Sequence, residues 1–231
     1  MTTIVFVHGA AGSGRHFHAQ RHAFPNAIAL NLPGHGGTPG SAATIGEFAD
    51  FVEAELRARD LSNVLLCGHS MGGAIALELA LRGTAGVNAL ALVGSGARLR
   101  VNPAFLQALR DDVRAGARAL APFLYAELDR EREEQTVADF ERTGGTQSVR
   151  DFEACNAFDV TERLPELSLP VLALTGERDA MTPPKYAQFL AGRVPDGRLR
   201  IVPEAGHMLM LEAPAETNAA LAAFVQEVEH R

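Results

Sequence analysis

Short apolar runs alternate along this chain with longer segments in which apolar residues recur at three- and four-residue spacing. Thr3-Ile4-Val5-Phe6-Val7, Val64-Leu65-Leu66-Cys67 and Val171-Leu172-Ala173-Leu174-Thr175 are brief and β-prone, the pattern of strands covered on both faces. Six strands are predicted, at about 3–7, 27–31, 63–67, 88–93, 170–175 and 198–202. Helical patterns fall between them near 44–60, 71–83, 184–192 and 214–229. Alternation of this kind means a mainly parallel sheet with right-handed crossovers. Residues 97–163 interrupt it. They hold nearly half of the charged residues, begin a helical stretch at Pro103 and are broken at Gly144-Gly145. The charges read as a solvated outer face.

Chemistry enters between the third strand and the helix after it, at Gly68-His69-Ser70-Met71-Gly72. A strand that becomes a helix within about one residue leaves a serine strained and its oxygen exposed, and glycines on either side keep the turn free of Cβ collisions. A serine hydroxyl is a poor nucleophile until a base takes its proton. Two later loops supply the parts. Asp179 ends Gly176-Glu177-Arg178-Asp179 after the fifth strand, and His207 ends Pro203-Glu204-Ala205-Gly206-His207 after the sixth. Both fall at carboxyl ends of strands, where open α/β sheets carry their sites. Backbone N–H groups for a developing oxyanion are expected from Met71, directly after the serine, and from Ala10 in the loop after the first strand. That loop, His8-Gly9-Ala10-Ala11-Gly12-Ser13-Gly14, matches neither G-x-G-x-x-G nor a P-loop, which argues against a nucleotide site.

With these pieces in place the chain resembles the α/β-hydrolase superfamily, in its branch of small cofactor-free esterases and lactonases. The resemblance rests on His8-Gly9-Ala10, Leu32-Pro33-Gly34-His35-Gly36, Gly68-His69-Ser70-Met71-Gly72-Gly73, Gly176-Glu177-Arg178-Asp179, and Gly206-His207 with Glu212-Ala213-Pro214. It implies an α/β-hydrolase fold, a catalytic Ser70–Asp179–His207 triad, an oxyanion hole at Ala10 and Met71, and no cofactor or metal. Residues 1–96 and 164–231 would form the core, and 97–163 a helical lid that adds little to the catalytic machinery itself. Phe105, Phe123, Leu124, Phe158, Met181 and Met208 would line the substrate pocket. Relatives usually open with an antiparallel hairpin, for which residue 3 leaves no room, so a reduced sheet of about six strands is expected. Relatives also tend to carry Asp where this chain has Asn31.

The implied reaction is hydrolysis of a small carboxylic ester, thioester or lactone through an acyl-enzyme. Carbon–carbon bond hydrolases and cofactor-free lyases share the same triad, and a ligand receptor could keep the fold without turnover. The serine itself argues against branches that use an aspartate nucleophile at this place.

Composition narrows the class further. At 231 residues with 47% hydrophobic content, one domain with a full core is expected. A net charge of −7 argues against a nucleic-acid partner. No apolar run approaches the ~20 residues of a membrane helix. Two cysteines, Cys67 and Cys155, are too few for a disulfide framework. With no basic n-region before the first strand, they point to a cytoplasmic protein acting as monomer or homodimer on a small molecule. His16, His18 and His22 have a spacing that suggests a metal, but no carboxylate or thiol joins them locally. His8 and His69 read as structural.

Overall fold

A computed structural model describes residues 2–230. Six strands form one sheet: β1 (Thr3–Val7), β2 (Ile28–Leu30), β3 (Val64–His69), β4 (Val87–Val93), β5 (Val171–Gly176) and β6 (Gly197–Val202). Their order is β2-β1-β3-β4-β5-β6 and every pairing is parallel. The sheet is therefore the reduced six-stranded form expected from the spacing, and wholly parallel. Side chains alternate across it, as a strand's period of two requires. Val5, Val7, Leu66, Leu90 and Ala173 join one core beneath α2 (Ile45–Ala58), α3 (Met71–Leu81) and α8 (Pro184–Arg193). Ile4, Phe6, Leu65, Ala91 and Leu172 join a second core on the opposite face, with Leu221 and Phe224 of α10 (Pro214–Glu229). No described helix is long and apolar enough to cross a membrane.

Chain order reverses between β1 and β3: one half winds outward to β2, the other through β4 to β6. The loops leaving these two neighbours diverge to opposite faces, and the crevice between them is where such sheets bind ligands. The strands and helices predicted outside the insert match the structure to within one or two residues, and short helical segments appear where none was predicted. A 3₁₀ turn at Gly14–Phe17 and a short α1 (His18–Ala23) connect β1 to β2.

Residues 97–163 form four helices, α4 (Pro103–Asp111), α5 (Val113–Leu124), α6 (Arg130–Thr143) and α7 (Gly145–Ala157), followed by a 3₁₀ turn at Thr161–Glu166. Each start is built into the sequence. Asn102 caps α4 ahead of Pro103, Asp112 accepts from the amides of Arg114 and Ala115, and Asp129 accepts from Arg132. Gly144, at φ +83°, stops α6 and starts α7. Leu106, Leu109, Leu120, Val137, Phe140 and Phe152 give the insert its own small core, seated on Ala11 of the loop after β1. A short α9 (Leu209–Glu212) follows the β6 loop.

Candidate active site

The β3–α3 turn is as tight as its glycines suggest. A Cβ on Gly68 would run into the backbone of Gly72, and one on Gly72 into the carbonyl of Val7. Ser70 sits at φ 53°, ψ −115°, a conformation that L-residues hold only when the surroundings enforce it. Its amide donates to Val93 O at 2.9 Å, and its carbonyl accepts from the Ser95 hydroxyl at 2.8 Å and from the Gly73 amide at 2.9 Å. Half-buried, the serine opens onto a small cavity of about 40 Å3 that Gly9, Ala10, His69, His207 and Met208 also line.

His207 and Asp179 meet inside the protein. The imidazole Nδ1 lies 2.9 Å from Asp179 Oδ2 and 3.1 Å from Oδ1, with both side chains almost wholly buried. Asp179 also accepts from the Met181 and Thr182 amides at 2.9 and 2.8 Å and from the Thr182 hydroxyl at 2.8 Å. Burial works to raise its carboxyl, but the charge of His207 and these donors outweigh it and hold the group below the usual carboxylate range. Thr182 was absent from the sequence reading. Its signal was there: an Asp followed two and three residues later by donors, just before Pro183-Pro184, is a turn that orients its own carboxylate.

The loop after β1 is a turn closed by the Gly12 amide on Gly9 O at 3.1 Å. His8 Nδ1–H donates to the same carbonyl at 2.8 Å, while its Nε2 accepts from Leu32 N–H at 3.1 Å. Both contacts suit a neutral ring, and burial, reinforced by nearby His35, pushes its pKa well down. A trans peptide points its C=O and N–H in opposite directions. With Gly9 O turned toward His8 and Gly12, the Ala10 N–H of that peptide faces the other way. Among the described residues neither the Ala10 nor the Met71 amide donates to a protein acceptor.

A larger groove of about 470 Å3 also reaches Ser70, passing between α4, α5 and the β5–α8 loop. Phe105, Phe123 and Met181 line it, with Leu99, Val101 and Ala108. Leu124, Met181 and Met208 line the smaller cavity. Phe158 does neither. It closes α7 as a 7%-exposed member of the core that also holds Val160 and Leu164, because the chain after α7 turns into that core; its expected place in the pocket is corrected to core packing.

Three contacts join residues that the sequence keeps far apart. His16 Nε2 lies 2.9 Å from Asp139 Oδ2 of α6, the two lining the polar end of the smaller cavity with Tyr125 and Thr136. His35 Nε2 lies 2.8 Å from Asp151 Oδ2 of α7, with both groups fully buried, and Asp151 also accepts from the Ala11 amide at 2.8 Å. The insert thus bonds directly to the segments after β1 and β2, where the sequence reading made it a lid adding little to the site. Asn31, where relatives tend to carry Asp, accepts from Gly14 N–H at 2.8 Å and donates to Gly36 O at 3.3 Å. An aspartate could not make the second bond.

Comparison with known proteins identifies the family. Residues 4–220 match the model of the alpha/beta hydrolase family. The chain belongs to that family. It is 30% identical to a putative carbamate hydrolase from Azorhizobium caulinodans, over 99% of this chain and 92% of the other. It is 29% identical over 98% of its length to the dihydrolipoyllysine-residue acetyltransferase component of an acetoin cleaving system from Pseudomonas putida, of which it spans 64%. Among solved structures a thermophilic esterase, 29% identical, superposes with a TM-score of 0.87 over 97% of this chain and 90% of that one.

Proposed function

We propose that this alpha/beta hydrolase is a serine hydrolase cleaving a small carboxylic ester, thioester or lactone that carries an apolar chain. The observation carrying the reading is the buried His207–Asp179 pair, 2.9 Å apart, facing the cavity onto which the strained Ser70 opens. Ser70 Oγ attacks the carbonyl carbon as its proton passes to His207 Nε2. Asp179, hydrogen-bonded to Nδ1–H, fixes the tautomer and balances the imidazolium. The carbonyl oxygen becomes an oxyanion received by the Ala10 and Met71 amides. Its collapse expels the alcohol, thiol or ring oxygen with the proton from His207. Water, deprotonated by the same imidazole, then hydrolyses the acyl-enzyme and restores Ser70. No step needs a metal or cofactor.

The two spaces at Ser70 support this substrate class. The groove bounded by Phe105, Phe123, Val101 and Met181 suits an unbranched or aromatic apolar group, while the smaller cavity ends in hydrogen-bonding side chains. The similarity to a thermophilic esterase supports ester cleavage. Two measurements test the reading together: labelling by a fluorophosphonate, mapped by mass spectrometry, and multiple turnovers of p-nitrophenyl esters. Adduct at Ser70 with many turnovers is expected. Labelling at Ser95 in place of Ser70 would overturn the assignment, and saturable ligand binding without turnover would favour a receptor.

A further inference from the structure

Ala11 stands out in the loop after β1. It is an alanine at φ +52°, third residue of the turn that Gly12 closes on Gly9. Positive φ at that position defines the turn form that glycine or asparagine normally fills, and an alanine there costs on the order of 1–3 kcal/mol. The alternative turn, with the central Ala10–Ala11 peptide flipped, is the one alanine would choose unaided. Something must hold this peptide.

Both polar groups of Ala11 are held by the insert. Its amide donates to Asp151 Oδ2 on α7 at 2.8 Å, and its carbonyl accepts from the Thr143 hydroxyl at the end of α6 at 3.2 Å. Asp151 is fully buried; Oδ2 also takes His35 Nε2–H, and Oδ1 takes Gln147 Nε2–H at 2.9 Å. Packing alone gives no reason for a carboxylate in this place, since burying a charge costs several kcal/mol before its partners offset the loss. A carboxylate does supply a directional acceptor that repels the carbonyl of the flipped peptide. His35, whose Nδ1–H donates to Pro33 O at 2.9 Å, supplies the compensating cation.

We propose that Asp151, assisted by Thr143, is a positioning residue for the oxyanion hole. From the insert it anchors the strained turn at Ala11 and so holds in place the adjoining Ala10 N–H, whose direction the bonds of Gly9 O already set. The inference rests on the serine-hydrolase reading above, and it makes the insert part of what builds the hole.

The test uses Asp151→Asn and Thr143→Val in the full chain. Thr143 is only half-buried and valine keeps its shape, so this variant reads the clamp even where Asp151→Asn folds poorly. Each is assayed for kcat and KM, and for binding of an alkyl trifluoromethyl ketone, which adds to Ser70 and places an oxyanion in the hole. The matching secondary alcohol, which fills the groove with no oxyanion, serves as control. Removing one oxyanion donor outright costs about 10²- to 10³-fold in kcat. Letting one shift is expected to cost roughly ten- to a hundredfold for Asp151→Asn and several-fold for Thr143→Val. Ketone affinity should fall in the same proportion as kcat, with KM and alcohol binding within twofold of wild type. A folded variant that binds the ketone as wild type does overturns the positioning role alone. Loss of ketone and alcohol binding together also overturns it, since a collapsed groove would then explain the effect. Wild-type protein that forms no ketone adduct at Ser70 overturns the hydrolase reading itself.

Discussion

His69 Nε2–H donates to the carbonyl oxygen of His207 at 3.1 Å, and the two imidazoles pack with centroids 4.7 Å apart. The elbow residue before the serine therefore grips the backbone of the candidate base. Burial, and then the charge of His207, push the His69 pKa well down, so its ring is neutral. With the proton on Nε2, its Nδ1 is a bare acceptor that finds no hydrogen-bond partner among the described residues. This ring joins the loops after β3 and β6.

Replacing it by a ring of similar size isolates that bond. His69→Phe should cost about 1 kcal/mol of stability, the ordinary worth of one hydrogen bond, and lower kcat several-fold while Ser70 remains the labelled residue. Urea unfolding alongside steady-state kinetics checks it; an unchanged kcat would show that the His207 loop needs no such tether.

Asp179→Asn should lower kcat on the order of 10⁴-fold, the effect of turning a triad carboxylate into an amide. The pH dependence of stability has a definite sign. Because the folded carboxyl is held below its ordinary 3.8, its stabilisation is complete above that value and is lost as pH falls through the lower folded one. The stability gap between wild type and variant should stay level from pH 5 to 7 and narrow below about pH 4. A gap that widened with acid would contradict the charged pair.

The His35–Asp151 pair has the opposite sign. Burial disfavours the His35 charge, but the hydrogen bond and charge of Asp151, with the Pro33 carbonyl, raise its pKa above the ordinary 6.5. Its contribution is complete below 6.5 and lost as pH rises through the raised value. Thermal unfolding from pH 6 to 9 should show wild type losing stability along this range, and His35→Gln, which has no such charge, following a flatter curve. Parallel curves would mean the pair is not ionised.

The groove can be filled from within. Ala108→Phe should spare acetate esters and penalise octanoate. Burying a methylene is worth about 0.8 kcal/mol, so excluding three would shift the kcat/KM ratio by about 2.4 kcal/mol, or roughly fiftyfold. Phe158→Ala, in the core, should instead cost about 3–5 kcal/mol of stability with the chain-length ranking unchanged. The idea fails if the two variants exchange these behaviours.

Much of the molecule was legible because its signals are local. A buried parallel strand must be an apolar run, a strand-to-helix elbow must have glycines where Gly68 and Gly72 stand, and a turn aspartate must precede its donors as Asp179 precedes Thr182. Each is a backbone demand met within a few residues, so six strands and the three triad candidates could be read in order. The insert's role could not. Its charge run promised a wet outer face, yet Asp139 and Asp151 turn inward to His16 and His35, 123 and 116 residues away. Phe158 carried the same apolar signal as Phe105, and only packing sent one to the core and the other to the groove.

The sequence by itself thus determined which segments form the sheet and which loops carry a serine, an acid and a base, because periodicity and turn chemistry act between neighbours. The tertiary structure alone decided which buried charges are partnered, how Ala11 is held in its strained turn, and that two spaces reach Ser70. Those outcomes depend on the desolvation and direction of groups that meet only when distant segments pack, and no spacing along the chain encodes that meeting.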